Sequence, residues 1–255
     1  RTGAGVELLH VLGRRGAPQR DLSGAIKLGA RSALLNELTE LDARRSKLAA
    51  EQGRAILEDA YSILAEDGVS EITSRLRHGD LVETVHEVEH GASLIVIGKR
   101  GEAADFAKGH LGSNLERVVR ASTKPILVAS RTFKPVETML IAYDGGASSE
   151  KAVKWIASDP LFKDLSVTLA HVGEAGQSVR AGLEAASGRL SDAGLSVTTV
   201  VEKGQPDAVL SRLVERGVGL VVMGAYGHSR IRSMIIGSTT SEMIRSCKAP
   251  VLLVR

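Results

Sequence analysis

Through the second half of the chain, short apolar runs alternate with stretches in which apolar residues recur at intervals of three and four. The runs are "TMLIAY" (138–143), "SVTLAHV" (166–172), "SVTTVV" (196–201), "LVVM" (220–223) and "VLLV" (251–254). Each is four to seven residues of aliphatic or β-branched character, which predicts strands. Between them, segments such as "EKAVKWIA" and "AVLSRLVERG" carry the helical period. Strands in βαβ order, apolar on both faces, predict a parallel, doubly wound sheet with ligands expected at the carboxyl ends of its strands.

The first half repeats the second. "ASLIVIGKRG" (92–101) matches "VGLVVMGAYG" (218–227), and "LGSNLERVVRASTKPILVAS" (111–130) matches "IGSTTSEMIRSCKAPVLLVR" (236–255). Gly79 and Gly204, Gly112 and Gly237, and Pro125 and Pro250 are each 125 positions apart, whereas Gly98 and Gly224 are 126 apart. A period this long marks two copies of a domain rather than a solenoid. The joint falls in "SRTFKPVET", giving expected domains at 1–134 and 135–255.

The copies are unequal. "VELLHVL" aligns Val11 with Val172, and no counterpart of the 138–143 run precedes it, so the first domain is expected to lack its first strand. Conversely, the interval from Val11 to Gly79 is longer than that from Val172 to Gly204 by an Arg-, Leu- and Ala-rich stretch near 29–68, which reads as one or two longer helices with a solvated charged face.

Composition narrows the function classes. Apolar residues make up 43% and charged residues 25%, the balance of a globular protein. Aromatics are only 3%, and a net charge of +3 forms no basic stripe, which argues against a nucleic-acid reader. The lone Cys247 cannot form an internal disulfide and reads as structural. With no signal-peptide pattern and no apolar run of about 20 residues, a cytoplasmic protein with no membrane partner is expected.

The chemistry concentrates in "MGAYGHSRIRSMIIGSTTSEMIRSCKAP" (223–250). Gly224 ends a predicted central strand. A glycine there lets backbone N–H groups approach a phosphate, and a helix starting at Ser238 or Thr239 would aim its free N–H groups at the same place. The spacing Gly224-x2-Gly227-x9-Gly237-Ser238 resembles the nucleotide-binding signature of the universal stress protein family, G-x2-G-x9-G-[ST]. The resemblance covers nearly the whole chain, twice, in a tandem form. It includes Asp144 in "IAYDGGASSEKAV", the "AHV" ending the second strand of that copy, the "KGQP" turn (203–206) and the final "APVLLVR". It implies two five-stranded α/β domains of Rossmann-like type, with ATP, ADP or AMP, alone or with Mg²⁺, bound in the second. Asp144, Gly145 and the Val172 backbone would hold adenine and ribose. Gly224, Gly227, Gly237, Ser238 and Thr239 would hold phosphates, with His228 and Arg230 in the intervening loop. Gly146 departs from the serine that many members carry after Asp-Gly.

The same residues have plainer readings. Strand-end glycines arise from turns, and Thr239 with Glu242 fits a capping box. Copy one, Gly98-x2-Gly101-x10-Gly112-Ser113, has a loop one residue longer that carries Glu102 and Asp105, and it has no visible counterpart of Asp144. "HEVEH" (86–90) fits H-E-x-x-H, but Leu81, Val82, Val85 and Val88 make the apolar stripe, so His86, Glu87 and His90 fall on the wet face and zinc catalysis is not expected. No G-x-S-x-G or G-x4-G-K-[ST] motif is present, and "DGGASS" does not match the S-G-G-x-D-S loop of ATP pyrophosphatases.

The expectation is therefore a stress-response protein whose second domain binds an adenine nucleotide and acts through nucleotide-dependent partner interactions. The alternatives are a nucleotide-free scaffold and a slow ATPase or autokinase. The family's dimers extend one sheet with the partner's last strand. By resemblance, "KPILVAS" and "APVLLVR" would do this within the chain as a pseudo-dimer, covering two apolar edges, and two chains could pair again as a homodimer.

Overall fold

A computed structural model describes residues 2–13, 28–99, 113–130, 132–225 and 237–255, with backbone alone for 28–33 and 113. Its contacts gather into two compact units, residues 2–84 and 85–255.

The smaller unit pairs β1 (Val6–Gly13) with β2 (Ile72–Gly79) in parallel, from Val6 opposite Ile72 to Gly13 opposite Gly79. They are connected through α1 (Leu28–Glu66), one 39-residue helix where the sequence allowed one or two. α1 lies on the strands so closely at Gly53 that a Cβ there would come within 2.8 Å of Leu76 Cδ1 and 2.9 Å of His10 Cδ2. α2 (Leu81–Val88) then carries the chain into the larger unit.

The larger unit is built on a seven-stranded sheet. Copy two contributes β5 (Thr138–Ala142), β6 (Ser166–Val172), β7 (Ser196–Glu202), β8 (Leu220–Gly224) and β9 (Val251–Val254), all mutually parallel where they pair. Copy one contributes β3 (Ile95–Gly98) and β4 (Ile126–Ala129), separated in the chain by α3 (Ser113–Ala121). The order is β3-β4-β9-β8-β5-β6-β7. Five parallel strands from copy two match the sequence reading, and so does the junction. β4 runs antiparallel to β9, with Ile126 opposite Leu253 and Val128 opposite Val251, so the last strands of the two copies join. All four β9 residues are buried, which explains why so short a strand is uniformly aliphatic.

Copy one departs from a five-stranded sheet of its own. In copy two, β5 is the central strand, bonded to β6 on one side and β8 on the other. By the repeat, β1 and β2 correspond to β6 and β7, and β3 and β4 to β8 and β9. A counterpart of β5 is the strand that would bond β1 to β3, and none is among the described residues. The four strands consequently form two separate ladders, β1 and β2 within residues 2–84 and β3 and β4 within 85–255.

Two helix layers cover the sheet of copy two. α4 (Ala147–Ser158) packs with α5 (Gln177–Asp192), and α6 (Pro206–Val214) with α7 (Ser238–Ser246). The core gathers Met139, Ile141, Ile156, Phe162, Leu169, Leu190 and Leu252, each at most 2% exposed. Trp155 meets Phe162 edge-on with ring centroids 5.1 Å apart. Among the described residues no helix is long and apolar enough to cross a membrane.

Candidate functional site

The strand order places a topological switch between β5 and β8. The chain moves from β5 outward through β6 and β7, returns to β8 and continues the other way to β9. The carboxyl ends of β5 and β8 therefore diverge into connections on opposite faces and leave a crevice. Asp144 and Gly145 follow β5, Val172 ends β6 and Gly224 ends β8. The start of α7 is tied to the same place by Thr240, whose hydroxyl donates to the Gly224 carbonyl at 3.2 Å. The fold thus brings together Asp144, Gly145, Val172, Gly224, Gly237, Ser238 and Thr239. Gly227, His228 and Arg230 lie outside the described residues.

At the β5 end, Asp144 is exposed while its Oδ1 accepts the Gly146 N–H at 2.9 Å and lies 2.7 Å from the Ser149 hydroxyl. Ser149 is 1% exposed and also sits 2.9 Å from the Gly146 carbonyl, its one proton serving either acceptor. The turn requires Gly145, whose φ is +75°, a left-handed conformation that a side chain disfavours. Asp144 is therefore held by the first turn of α4 rather than swinging freely.

At the β6 end the ladder stops early. Tyr143 N–H donates to the Ala170 carbonyl at 2.8 Å, but the Tyr143 carbonyl, which a continuing ladder would pair with the Val172 N–H, lies 3.0 Å from His171 Nδ1. A carbonyl only accepts, so Nδ1 carries the proton. On the other side, Gly173 N–H donates to Glu202 on β7 at 2.9 Å. Backbone direction alternates along a strand, so the Val172 N–H and C=O face the β5 side, beyond the point where β5 has turned away. His171 acts as a side-chain substitute for one ladder bond. Sequence reading passed over it, although its place between the buried end of a strand and the signature valine was the available signal.

The three expected site glycines that can be described differ in why they are glycine. Besides Gly145, Gly224 is dictated by packing: a Cβ there would lie 2.9 Å from Ser148 Cβ, so α4 can approach β8 only over a bare backbone. Gly237 has an ordinary φ of −53°, and a Cβ would meet only Thr240 Oγ1, at 3.6 Å. Among the described residues, neither backbone nor packing demands glycine at 237. Gly237 is the N-cap of α7, without a side-chain cap hydrogen bond, and the first helical bond runs from Ser241 N–H to the Gly237 carbonyl at 2.9 Å. The capping box expected from Thr239 and Glu242 is not formed. Thr239 lies inside the first turn instead of at the cap, and Glu242 pairs with Arg245. The amides of 238–240 thus precede the helical ladder, at the positive end of the α7 dipole.

Beneath Asp144, Tyr143 is buried with its hydroxyl donated to the Glu150 carboxylate, in space left by Gly182, where a Cβ would stand 2.7 Å from the phenol oxygen. Burial, reinforced by Glu150 and by the Asp144 charge, pushes the Tyr143 phenol well above the usual tyrosine range. It stays protonated and neutral under the crevice.

The remaining candidates resolve more simply. α2 ends at Val88 and Glu89–Gly91 form a 3-10 turn, so "HEVEH" is not carried on one continuous helix. His86, Glu87 and His90 are exposed as expected, and no group of three or more His, Cys, Asp or Glu among the described residues could hold a metal. Glu89 is the surprise. At 2% exposed, it accepts bonds from the hydroxyls of Ser122 (2.5 Å) and Thr123 (3.1 Å), from the Thr123 N–H (3.4 Å) and from His86 Nδ1 (3.2 Å), fastening α2 to the turn before β4. Burial pushes its pKa upward, but these donors together hold it below the usual carboxylate range. Cys247 is buried, and burial raises its thiol pKa, consistent with a structural role. Lys99 donates to its carbonyl.

Comparison with known proteins agrees with this architecture. The profile of the universal stress protein family matches residues 1–130 and 174–255. The chain is 34% identical over 259 residues to universal stress protein Slr1230 of Synechocystis sp., covering 99% of this chain and 90% of that protein. It is 24% identical over 230 residues to universal stress protein Rv2005c of Mycobacterium tuberculosis, covering 80% and 77%. Among solved structures, a universal stress protein from Archaeoglobus fulgidus DSM 4304 superimposes with a TM-score of 0.70 over 98% of this chain and 87% of that one, at 22% identity.

Proposed function

Because this chain belongs to the universal stress protein family, we propose that its second copy binds one adenine nucleotide in the β5/β8 crevice and uses its occupancy to change interactions with partners. The observation that carries this reading is Gly237. It is a glycine that neither the described packing nor its backbone angle requires, at an uncapped helix start beside the switch point. Phosphate oxygens would be met by the amides of 238–240 and the hydroxyls of Ser238 and Thr239, where the helix dipole favours negative charge. The ribose hydroxyls would donate to Asp144, and the Val172 N–H and C=O would read the edge of the base. Gly227, His228 and Arg230 would complete the phosphate side, with Mg²⁺ as companion to a di- or triphosphate.

The test is calorimetric titration of the intact chain with ATP and Mg²⁺, beside Gly237→Val. One site in the parent, lost in a variant with an unchanged melting profile, is the expected result. No heat with ATP, ADP or AMP in the parent would overturn the reading. The same samples, followed for phosphate release and for protein labelling, test slow hydrolysis and autophosphorylation. A second reading, a nucleotide-free scaffold, is favoured by Gly145 and Gly224, which the fold needs with or without a ligand.

A further inference from the structure

The charge and apolar pattern of α1 carries an inference independent of the nucleotide site. At 1.5 Å per residue the 39-residue helix is about 58 Å long, whereas eight-residue strands extend only about 26 Å. Its carboxyl half sits on β1 and β2 through Ala50, Gly53, Leu57, Ala60 and Leu64, residues that are buried or half-buried at intervals of three and four. Its amino half does not share that cover. Every residue from 35 to 49 is exposed, including Leu35 (49%), Leu38 (42%), Leu41 (48%) and Leu48 (64%).

Three of these leucines, 38, 41 and 48, fall on one line with the half-buried Leu34 and with Arg45. Leu34, Leu38, Leu41, Arg45 and Leu48 follow steps of four, three, four and three, a heptad seam with 38 and 45 at a and 34, 41 and 48 at d. The flanking g positions are Glu37 and Arg44, and the e positions include Asp42. We propose that this exposed half of α1 pairs antiparallel with the same segment of a second copy of the chain. In that arrangement a residues meet d residues, so Leu38 packs on Leu41 of the second copy and, by the two-fold axis, Leu41 on Leu38. The g positions then face one another, which sets Glu37 against Arg44 twice. A parallel pair would instead bring each g residue to the e residue five positions on, Glu37 against Asp42, and repel twice. Arg45 takes a seam position opposite Leu34, where its aliphatic stem packs while the guanidinium reaches water. It weakens the pair and fixes its register.

Sedimentation of the full chain, without nucleotide, over low to high micromolar concentration tests this. The parent is expected to dimerise reversibly. Leu38→Glu with Leu41→Glu should give a monomer whose helical circular dichroism is preserved, since both side chains are already exposed. Glu37→Arg alone should weaken the dimer about tenfold by turning two attractive pairs into repulsive ones, and adding Arg44→Glu should restore it. A parent monomeric throughout, a dimer indifferent to the leucine changes, or a dimer that Glu37→Arg strengthens would each overturn the proposal.

Discussion

Replacing Gly224 and Gly237 separately by alanine asks whether two glycines of one signature are glycine for the same reason. At 224 the added methyl would stand 2.9 Å from Ser148 Cβ and 3.7 Å from the Ser149 amide, closer to the former than carbon atoms tolerate. Neither β8, bonded to β5 and β9, nor the first turn of α4, fixed by Asp144 and Ser149, can step aside cheaply. Overpacking of this kind costs about 1–3 kcal/mol. At 237 the methyl meets Thr240 Oγ1 at an ordinary 3.6 Å and the backbone angle already suits alanine. The unfolded chain loses entropy worth about 0.4–1 kcal/mol, and the N-cap preference of glycine over alanine takes back a similar amount, leaving a change within about 0.5 kcal/mol. The single Trp155, in α4 and against Phe162, reports unfolding of the 85–255 unit by its fluorescence, so urea midpoints of the three proteins supply the comparison. If Gly224→Ala were as stable as the parent, or Gly237→Ala the less stable variant, the division between a packing glycine and a ligand glycine would be wrong.

Glu89→Gln should lower stability by about 1–3 kcal/mol at neutral pH, since a buried carboxylate accepting several hydrogen bonds is replaced by a neutral amide that must also place two donors. The folded pKa of Glu89 lies below its unfolded value, so its contribution is present above about pH 4.3 and is lost as pH falls through the depressed folded pKa. The gap between parent and variant in urea midpoints should therefore be constant at neutral pH and narrow in acid; a gap that widens in acid would contradict the hydrogen-bonded carboxylate. Tyr143→Phe should leave the tyrosinate absorbance titration unchanged over the ordinary tyrosine range, because Tyr143 is held protonated above it. A lost titrating group in that range would show that the phenol is not buried against Glu150.

The repeat and the pattern of copy two were legible because its inner strands β5, β8 and β9 are buried on both faces and therefore almost purely apolar, while the exposed edge strand β7 still carries the β-branched residues of a strand. "SVTLAHV" and "VLLV" coincide with β6 and β9 at both ends. The pairing of "KPILVAS" with "APVLLVR" was legible by resemblance, and its physical mark is the full burial of β9 between β8 and β4. What could not be read were effects of approach between distant segments. Nothing local to Gly224 announces Ser148, nothing near Glu89 announces Ser122 and Thr123, and the Thr239–Glu242 pair satisfies a capping rule that the chain does not use. The long α1 was visible as composition. Its exposed leucines became meaningful only once the structure showed which half lies on the strands.

The stoichiometry of binding follows from the sheet rather than from the motif alone. Gly98 in copy one stands at the end of β3, as Gly224 stands at the end of β8, and Ser113 opens α3 as Ser238 opens α7. Yet β8 has β5 and β9 as neighbours, and the crevice exists because β5 and β8 lead their connections to opposite faces. Among the described residues β3 is bonded to β4 only, so none of them sets a second strand end beside Gly98 or stands where Asp144 stands beside Gly224. The loop after Gly98 also carries Glu102 and Asp105, which disfavour phosphate. Titration should therefore saturate at one nucleotide per chain and vanish in Gly237→Val, while Gly112→Val should leave affinity and stoichiometry unchanged. Two equivalents bound, or a second equivalent surviving Gly237→Val, would mean that the signature binds without a switch point and that the sheet argument fails.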